Sequence, residues 1–170
     1  LQRVFKKNKN MIPFYKHNLS KDKNYLRDTI SGSYLTSGPV GEKVEDILKK
    51  RFKKKYAILS NSWTNGLISI LLSLNLKPKD EVIIPACTFV ACANVVEMIG
   101  AKTVFADIDP NTKLMDLGDC LKKITKNTKV IMPVHLYGNL FDTYKLKKII
   151  RKNIFIIEDS AHAFCGNYRN

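Results

Sequence analysis

The sequence predicts an α/β fold built on a mostly parallel sheet. Three observations lead there: five short apolar runs, helical stretches of roughly ten residues between them, and turn residues at the junctions. Connections of that length suit right-handed βαβ crossovers and are too long for hairpins, so the strands should lie parallel.

The elements follow in order. Tyr56 to Ser60 (YAILS) reads as a first strand, followed by a helix from Thr64 to about Leu74. Glu81 to Pro85 (EVIIP) is a second strand closed by its proline, and Thr88 to Met98 a helix stopped by Gly100. Lys102 to Ile108 forms a third strand, ended by the turn Asp109-Pro110-Asn111. A helix from about Asp116 to Ile124 leads to the strand KVIMPV, and one from about Asp142 to Arg151 leads to the strand NIFIIED. Residues 56–170 therefore read as one α/β body.

Residues 11–55 read as an arm of helices. Ser20 is placed to cap a helix running to Ile30, which Ser31-Gly32-Ser33 stops. Gly38-Pro39 then opens an amphipathic helix with Val44, Ile47, Leu48 and Phe52 on one face. Residues 1–10 form a separate extension without a clear role, and Met11 is a candidate start.

Composition narrows the function classes. The 170 residues, 45% of them apolar, suffice for a real core. No apolar run approaches the roughly 20 residues of a membrane helix, and the first ten residues lack an apolar signal region. The expectation is a cytoplasmic protein without membrane partners. The net charge of +14 raises the question of nucleic acid. However, 24 of the 29 basic residues are lysines, spread along the chain beside fourteen Asn and seventeen Ile. That bias fits AT-rich coding better than the arginine-rich, aromatic face of a nucleic-acid module. Cys87, Cys92, Cys120 and Cys165 lack C-x-x-C spacing, so they are expected to be small buried hydrophobes, with no metal site.

Ligands of open parallel sheets bind outside the carboxyl ends of the strands. Residues following the strands are Asn61, Ser62, Trp63 and Thr64; Pro85 to Phe89; His135; and Asp159 with His162. Neither G-x-G-x-x-G nor a P-loop follows any strand, which argues against dinucleotides and nucleoside triphosphates held in the usual ways.

These residues carry a resemblance. TSGPVGEKVE, SNSWTNGL, PACTFVACAN, VFADIDP, PVHLYG and IIEDSAHA, in that order, resemble the DegT/DnrJ/EryC1/StrS family, and MIPF resembles its usual amino terminus. The family consists of pyridoxal-phosphate-dependent sugar aminotransferases of fold type I, the aspartate-aminotransferase-like class. The resemblance implies the large domain of that fold, cut before its last strands and small carboxyl-terminal domain.

The resemblance assigns the cofactor-binding residues one by one. Thr64 matches the threonine that holds the cofactor phosphate, at a helix start where free N–H groups favour anions. Without the family it reads equally as a helix cap. Trp63 stands where most members have glycine. Phe89 matches the aromatic stacked on the pyridine ring; alone, it would read as core. Asp159 matches the carboxylate that pairs with the pyridinium nitrogen, an attraction of about 4 kcal/mol at about 4 Å and an effective dielectric of about 20. Its other reading is a capping carboxylate or one held by a lysine. Glu158 should point to the opposite face. His162 matches a family His or Gln beside the cofactor, where it could position Asp159 or bond the ring hydroxyl. His135 matches a family motif but has no assigned role.

No catalytic residue is expected within the chain. The family's Schiff-base lysine lies in a downstream Ser-Phe-x-x-x-Lys segment, expected beyond Asn170. The sequence thus reads as the first part of a longer frame, inactive alone, whose parent is a homodimer using glutamate and a nucleotide-linked keto sugar for surface polysaccharide or glycan synthesis. Relatives with His in place of the lysine are sugar dehydratases, which leaves that reaction open. A non-catalytic dimerisation remnant is the other alternative.

Overall fold

The computed structural model describes residues 23–34 and 36–167. Met11, Ser20 and the first ten residues lie outside them. The chain divides into two compact units, residues 1–59 and 60–170.

In the first unit, α1 (Lys23–Ile30) ends ahead of the turn at Ser31 to Ser33, and α2 (Pro39–Phe52) begins with its proline in the first turn. Proline is favoured there because its missing N–H would have no helical partner in any case. Lys53, in the left-handed conformation, closes α2 by donating its N–H to the Lys49 and Lys50 carbonyls. No residue of α2 is buried, so its apolar stripe is exposed.

The expected strand Tyr56 to Ser60 does not form. Ile58 is 88% exposed, and no other described segment pairs with this run. Its apolar pattern suits a strand, but a strand also needs a neighbour to take its backbone hydrogen bonds. The Leu59 N–H is met instead by the Glu45 carboxylate at 2.9 Å.

The second unit carries a four-stranded parallel sheet in the order β2-β1-β3-β4: β1 is Glu81–Pro85, β2 Lys102–Ala106, β3 Thr128–Ile131 and β4 Phe155–Ile156. Register runs from Glu81 opposite Lys102 to Pro85 opposite Ala106. β1 is covered on both faces and every residue of it is buried, which explains an unbroken apolar run after Glu81. Val82, Ile83, Ile84, Val130 and Ile131 are fully buried; truncating one such Ile to Ala costs about 2–5 kcal/mol.

The helices are α3 (Trp63–Ser73), α4 (Ala91–Met98), α5 (Leu117–Lys123) and α6 (Thr143–Ile149). α3 packs on α4, α4 on β1 and β2, and α5 on β2. Ser62, Asp116 and Asp142 cap α3, α5 and α6 by accepting the N–H of Asn65, Asp119 and Lys145. α4 begins three residues later than expected, which leaves Thr88 and Phe89 in the preceding loop. β2 also stops short, at Ala106, with Ile108 making only an antiparallel bridge to Met115.

One feature of this topology places the site. From β1 the chain crosses to β2 on one side, while from β3 it crosses to β4 on the other. Adjacent strands with diverging connections open a crevice at their carboxyl ends.

Candidate active site

The carboxyl end of β4 runs into Glu158 and Asp159, and their side chains diverge as strand alternation requires. The Glu158 carboxylate accepts from the Thr143 hydroxyl at 3.1 Å and lies 3.1 Å from His135 Nε2. Asp159 turns the other way, toward α4, where its Oδ2 is 3.8 Å from Cys92 Sγ.

Asp159 is 5% exposed and fixed by its backbone. Its N–H donates to the Pro133 carbonyl at 3.0 Å, and its carbonyl accepts from His135 N–H at 2.9 Å. These bonds continue the β3–β4 pairing one step past the strands, as a parallel bridge between Val134 and Asp159. Of the carboxylate oxygens, Oδ1 accepts from the Ala161 N–H at 3.0 Å. Among the described residues, Oδ2 has only the weak thiol donor. Neither a capping bond to a helix nor a lysine accounts for this acid; a buried carboxylate oxygen with so poor a partner is energetically costly unless a cation completes it.

His135 is a satisfied interior histidine. Nδ1 accepts from the Phe141 N–H at 3.0 Å, so the ring proton sits on Nε2 and faces Glu158. The ring ties the loop before α6 to the end of β4.

Beside Asp159 lies a cavity of about 520 Å³, lined by Trp63, Gly66, Leu67 and Ile70 of α3 and by residues 157–161 and Phe164. Gly66 allows α3 to come close to Ser60: a Cβ there would meet Ser60 Oγ at 3.0 Å. Trp63 is half-buried, and packs against the core as well as walling the cavity. Thr64 occupies the second position of α3. Ser62, not Thr64, is the cap. The N–H groups of Trp63 and Thr64 and the Thr64 hydroxyl have no acceptor or donor among the described residues, leaving an anion-accepting terminus on an eleven-residue helix.

Phe89 is 66% exposed in the loop between β1 and α4, so the core reading does not hold for it. His162 is exposed too; its Nδ1 accepts from the Tyr137 N–H at 3.4 Å, and its ring stacks on Tyr137 at 5.7 Å. Its partner is thus Tyr137 and not Asp159. Of the five expected residues, Trp63 and Asp159 share the cavity, whereas Thr64, Phe89 and His162 do not line it.

The cysteines also differ from expectation. Cys92 and Cys120 are buried, and burial pushes their thiols up to about 11 and about 12. Cys87 is exposed and Cys165 half-buried, so only two of the four act as core hydrophobes. The contact of Cys92 with Asp159 was not anticipated. Thr88 and Cys92 at i and i+4 were visible, but what they face was not. No cluster of potential metal ligands occurs among the described residues, nor any helix long and apolar enough to cross a membrane.

A four-stranded parallel sheet with helices between its strands and a buried carboxylate just past the last of them defines the class, an α/β domain. The chain belongs to the DegT/DnrJ/EryC1/StrS aminotransferase family, which matches residues 17–170. It is 35% identical to GDP-perosamine synthase of Escherichia coli O157:H7 over 161 residues, 93% of this chain and 44% of that protein. Among solved structures, Spr1654 of Streptococcus pneumoniae in its apo form superimposes with a TM-score of 0.83 at 32% identity, covering 89% of this chain and 42% of that one. Spr1654 has also been solved with pyridoxal phosphate and with pyridoxamine phosphate. GDP-4-keto-6-deoxy-D-mannose-3-dehydratase of E. coli, with hydrated pyridoxal phosphate, gives 0.77 at 27% identity, covering 84% and 39%. The chain spans less than half the length of the curated relatives it matches.

Proposed function

We propose that this chain is the amino-terminal part of a pyridoxal-phosphate-dependent aminotransferase that moves an amine from glutamate to a nucleotide-linked keto sugar. The observation that carries the reading is the half-satisfied carboxylate of Asp159, buried at the carboxyl edge of the sheet beside a cavity. The site fits the cofactor: a cationic ring nitrogen completes the oxygen that the protein leaves with a thiol, and an anionic phosphate suits the open N–H groups of Trp63 and Thr64. When bound, pyridoxal phosphate supplies a ring that draws electrons from the bond being broken.

The chain's own residues then divide the work. Asp159 holds the proton on the ring nitrogen. Trp63 and Thr64 receive the phosphate through backbone N–H groups and the Thr64 hydroxyl. Phe89, exposed and without a ring partner among the described residues, offers a face for ring stacking. Trp63 and Ile70 wall the cavity with apolar surface, and His162 stacks on Tyr137. The lysine that completes the chemistry is sought in a Ser-Phe-x-x-x-Lys segment, a motif these 170 residues do not contain.

The names of GDP-perosamine synthase and of the GDP-sugar dehydratase support a nucleotide-linked sugar as substrate and a role in surface polysaccharide or glycan synthesis. Family membership likewise supports a cytoplasmic homodimer. The structural likeness to the dehydratase keeps water elimination as a second reading.

Pyridoxamine phosphate tests the proposal, because it needs no lysine to bind. Equilibrium dialysis against the 170-residue chain should show saturable binding that Asp159→Asn weakens. Absence of binding at millimolar ligand would overturn it. Coding DNA past Asn170 with an in-frame lysine motif favours the aminotransferase, and His in its place the dehydratase.

A further inference from the structure

We infer that Cys92, braced by Thr88, is a positioning residue that orients the Asp159 carboxylate for a cationic ring nitrogen. The inference rests on the cofactor reading above and extends it to two residues that have no role in it.

The contacts form a directed chain. Oδ1 of Asp159 is taken by the Ala161 N–H, so the orientation of the carboxylate depends on what meets Oδ2. That partner is Cys92 Sγ at 3.8 Å, 67 residues earlier in the sequence and fully buried in the first turn of α4. An ionised carboxylate only accepts, so the thiol hydrogen lies toward Oδ2. A thiol has one hydrogen, so at the 3.2 Å contact between Thr88 Oγ1 and Cys92 Sγ the threonine donates. Thr88 thus fixes the sulfur, and the sulfur fixes Oδ2. Burial, and the charge of Asp159 itself, push the thiol up to about 11, so at neutral pH it keeps the hydrogen this chain needs.

The choice of sulfur has a physical sense. A hydroxyl facing an anionic oxygen would make a shorter, stronger bond, holding it in place but taking more of its accepting capacity. A thiol is a weak donor: it steers the oxygen while leaving most of its accepting capacity for a cation.

The experiment uses the 170-residue chain with pyridoxamine phosphate labelled with ¹⁵N in the ring. Dialysis gives Kd, the ¹⁵N shift reports ring-nitrogen protonation, and melting gives Tm. Cys92→Ala should weaken binding about three- to tenfold, as loss of one modest hydrogen bond does, and move the ring ¹⁵N shift toward neutral pyridine. Cys92→Ser, which restores a donor, should recover at least half of both changes, and Thr88→Val should fall between wild type and Cys92→Ala. In an Asp159→Asn background, Cys92→Ala should add less than about twofold, since the group it acts through is gone.

A change in Tm with Kd and ¹⁵N shift unmoved would make Cys92 a core residue only and overturn the inference. Should Cys92→Ala not fold, Thr88→Val decides: an unaltered Kd overturns it equally. Wild-type binding that Asp159→Asn weakens, with Cys92→Ala silent, defeats this inference and leaves the cofactor reading standing. Wild-type protein that binds no pyridoxamine phosphate defeats both.

Discussion

Two acids are buried at opposite ends of the same sheet, and they are treated oppositely. Glu81 opens β1 at the amino edge; Asp159 follows β4 at the carboxyl edge. Each is 5% exposed. Glu81 is fully served: the hydroxyls of Thr125 and Thr128 donate to one carboxylate oxygen, and Lys102 Nζ lies 3.2 Å from the other. The Thr125 hydroxyl is the largest cause holding its carboxyl below the ordinary value. Asp159 has one backbone N–H and a thiol. Equal burial thus hides unequal satisfaction. An acid with every oxygen occupied stabilises the fold, whereas one left short is held ready for something outside the fold.

The largest expected effect breaks the comparison at the carboxyl edge. Asp159→Asn should weaken pyridoxamine phosphate binding about a hundredfold, since it removes one partner of a buried charge pair. Its Tm should hold or rise, because Asn still accepts from the Ala161 N–H and a poorly paired charge is gone. Dialysis and thermal melting measure the two.

The converse change is Glu81→Ala. It should cost about 2 kcal/mol of stability in urea unfolding, by stranding the Thr125 and Thr128 hydroxyls, while leaving ligand affinity within twofold. If Glu81→Ala altered binding as much as it altered stability, the division between the two edges would fail.

Acid sharpens the same contrast. Because folding depresses the Glu81 carboxyl, its contribution is fully present above the ordinary value of 4.5 and is lost as pH falls through the lower folded value. The urea midpoint of wild type should therefore drop on acidification below about pH 4.5, and Glu81→Gln should flatten that drop. The two titration curves, overlaid, decide it.

The smallest effect lies at the exposed aromatic. Phe89→Ala should weaken binding about two- to tenfold through lost ring stacking, with Tm unchanged because the ring is 66% exposed. A large fall in Tm would make Phe89 structural.

Much of this was legible in the chain. The run EVIIP named β1 to the residue, and Asp116 and Asp142 marked helix starts, because capping and apolar runs act within a few residues. Ordered motifs pointed to the family from about Met11 onward, and the family matches residues 17–170. Asp159 stood out as a carboxylate after an apolar strand, and alternation correctly sent Glu158 the other way.

What sequence could not decide was what meets what. YAILS and EVIIP are both short apolar runs, yet only EVIIP becomes a strand, since it lies between β2 and β3 and YAILS has no paired segment among the described residues. Strand hydrogen bonds come from elsewhere in the chain, so a local pattern is necessary without being sufficient. The same holds for side chains. Phe89 reads as core from its neighbours and is exposed; Cys92 reads as an inert hydrophobe and touches the key carboxylate across 67 residues. Local composition determined the elements, their caps and the order of the motifs, because those depend on propensity and spacing. Partners, burial and the weakly met oxygen of Asp159 were decided only by the tertiary structure, which brings distant residues within contact range.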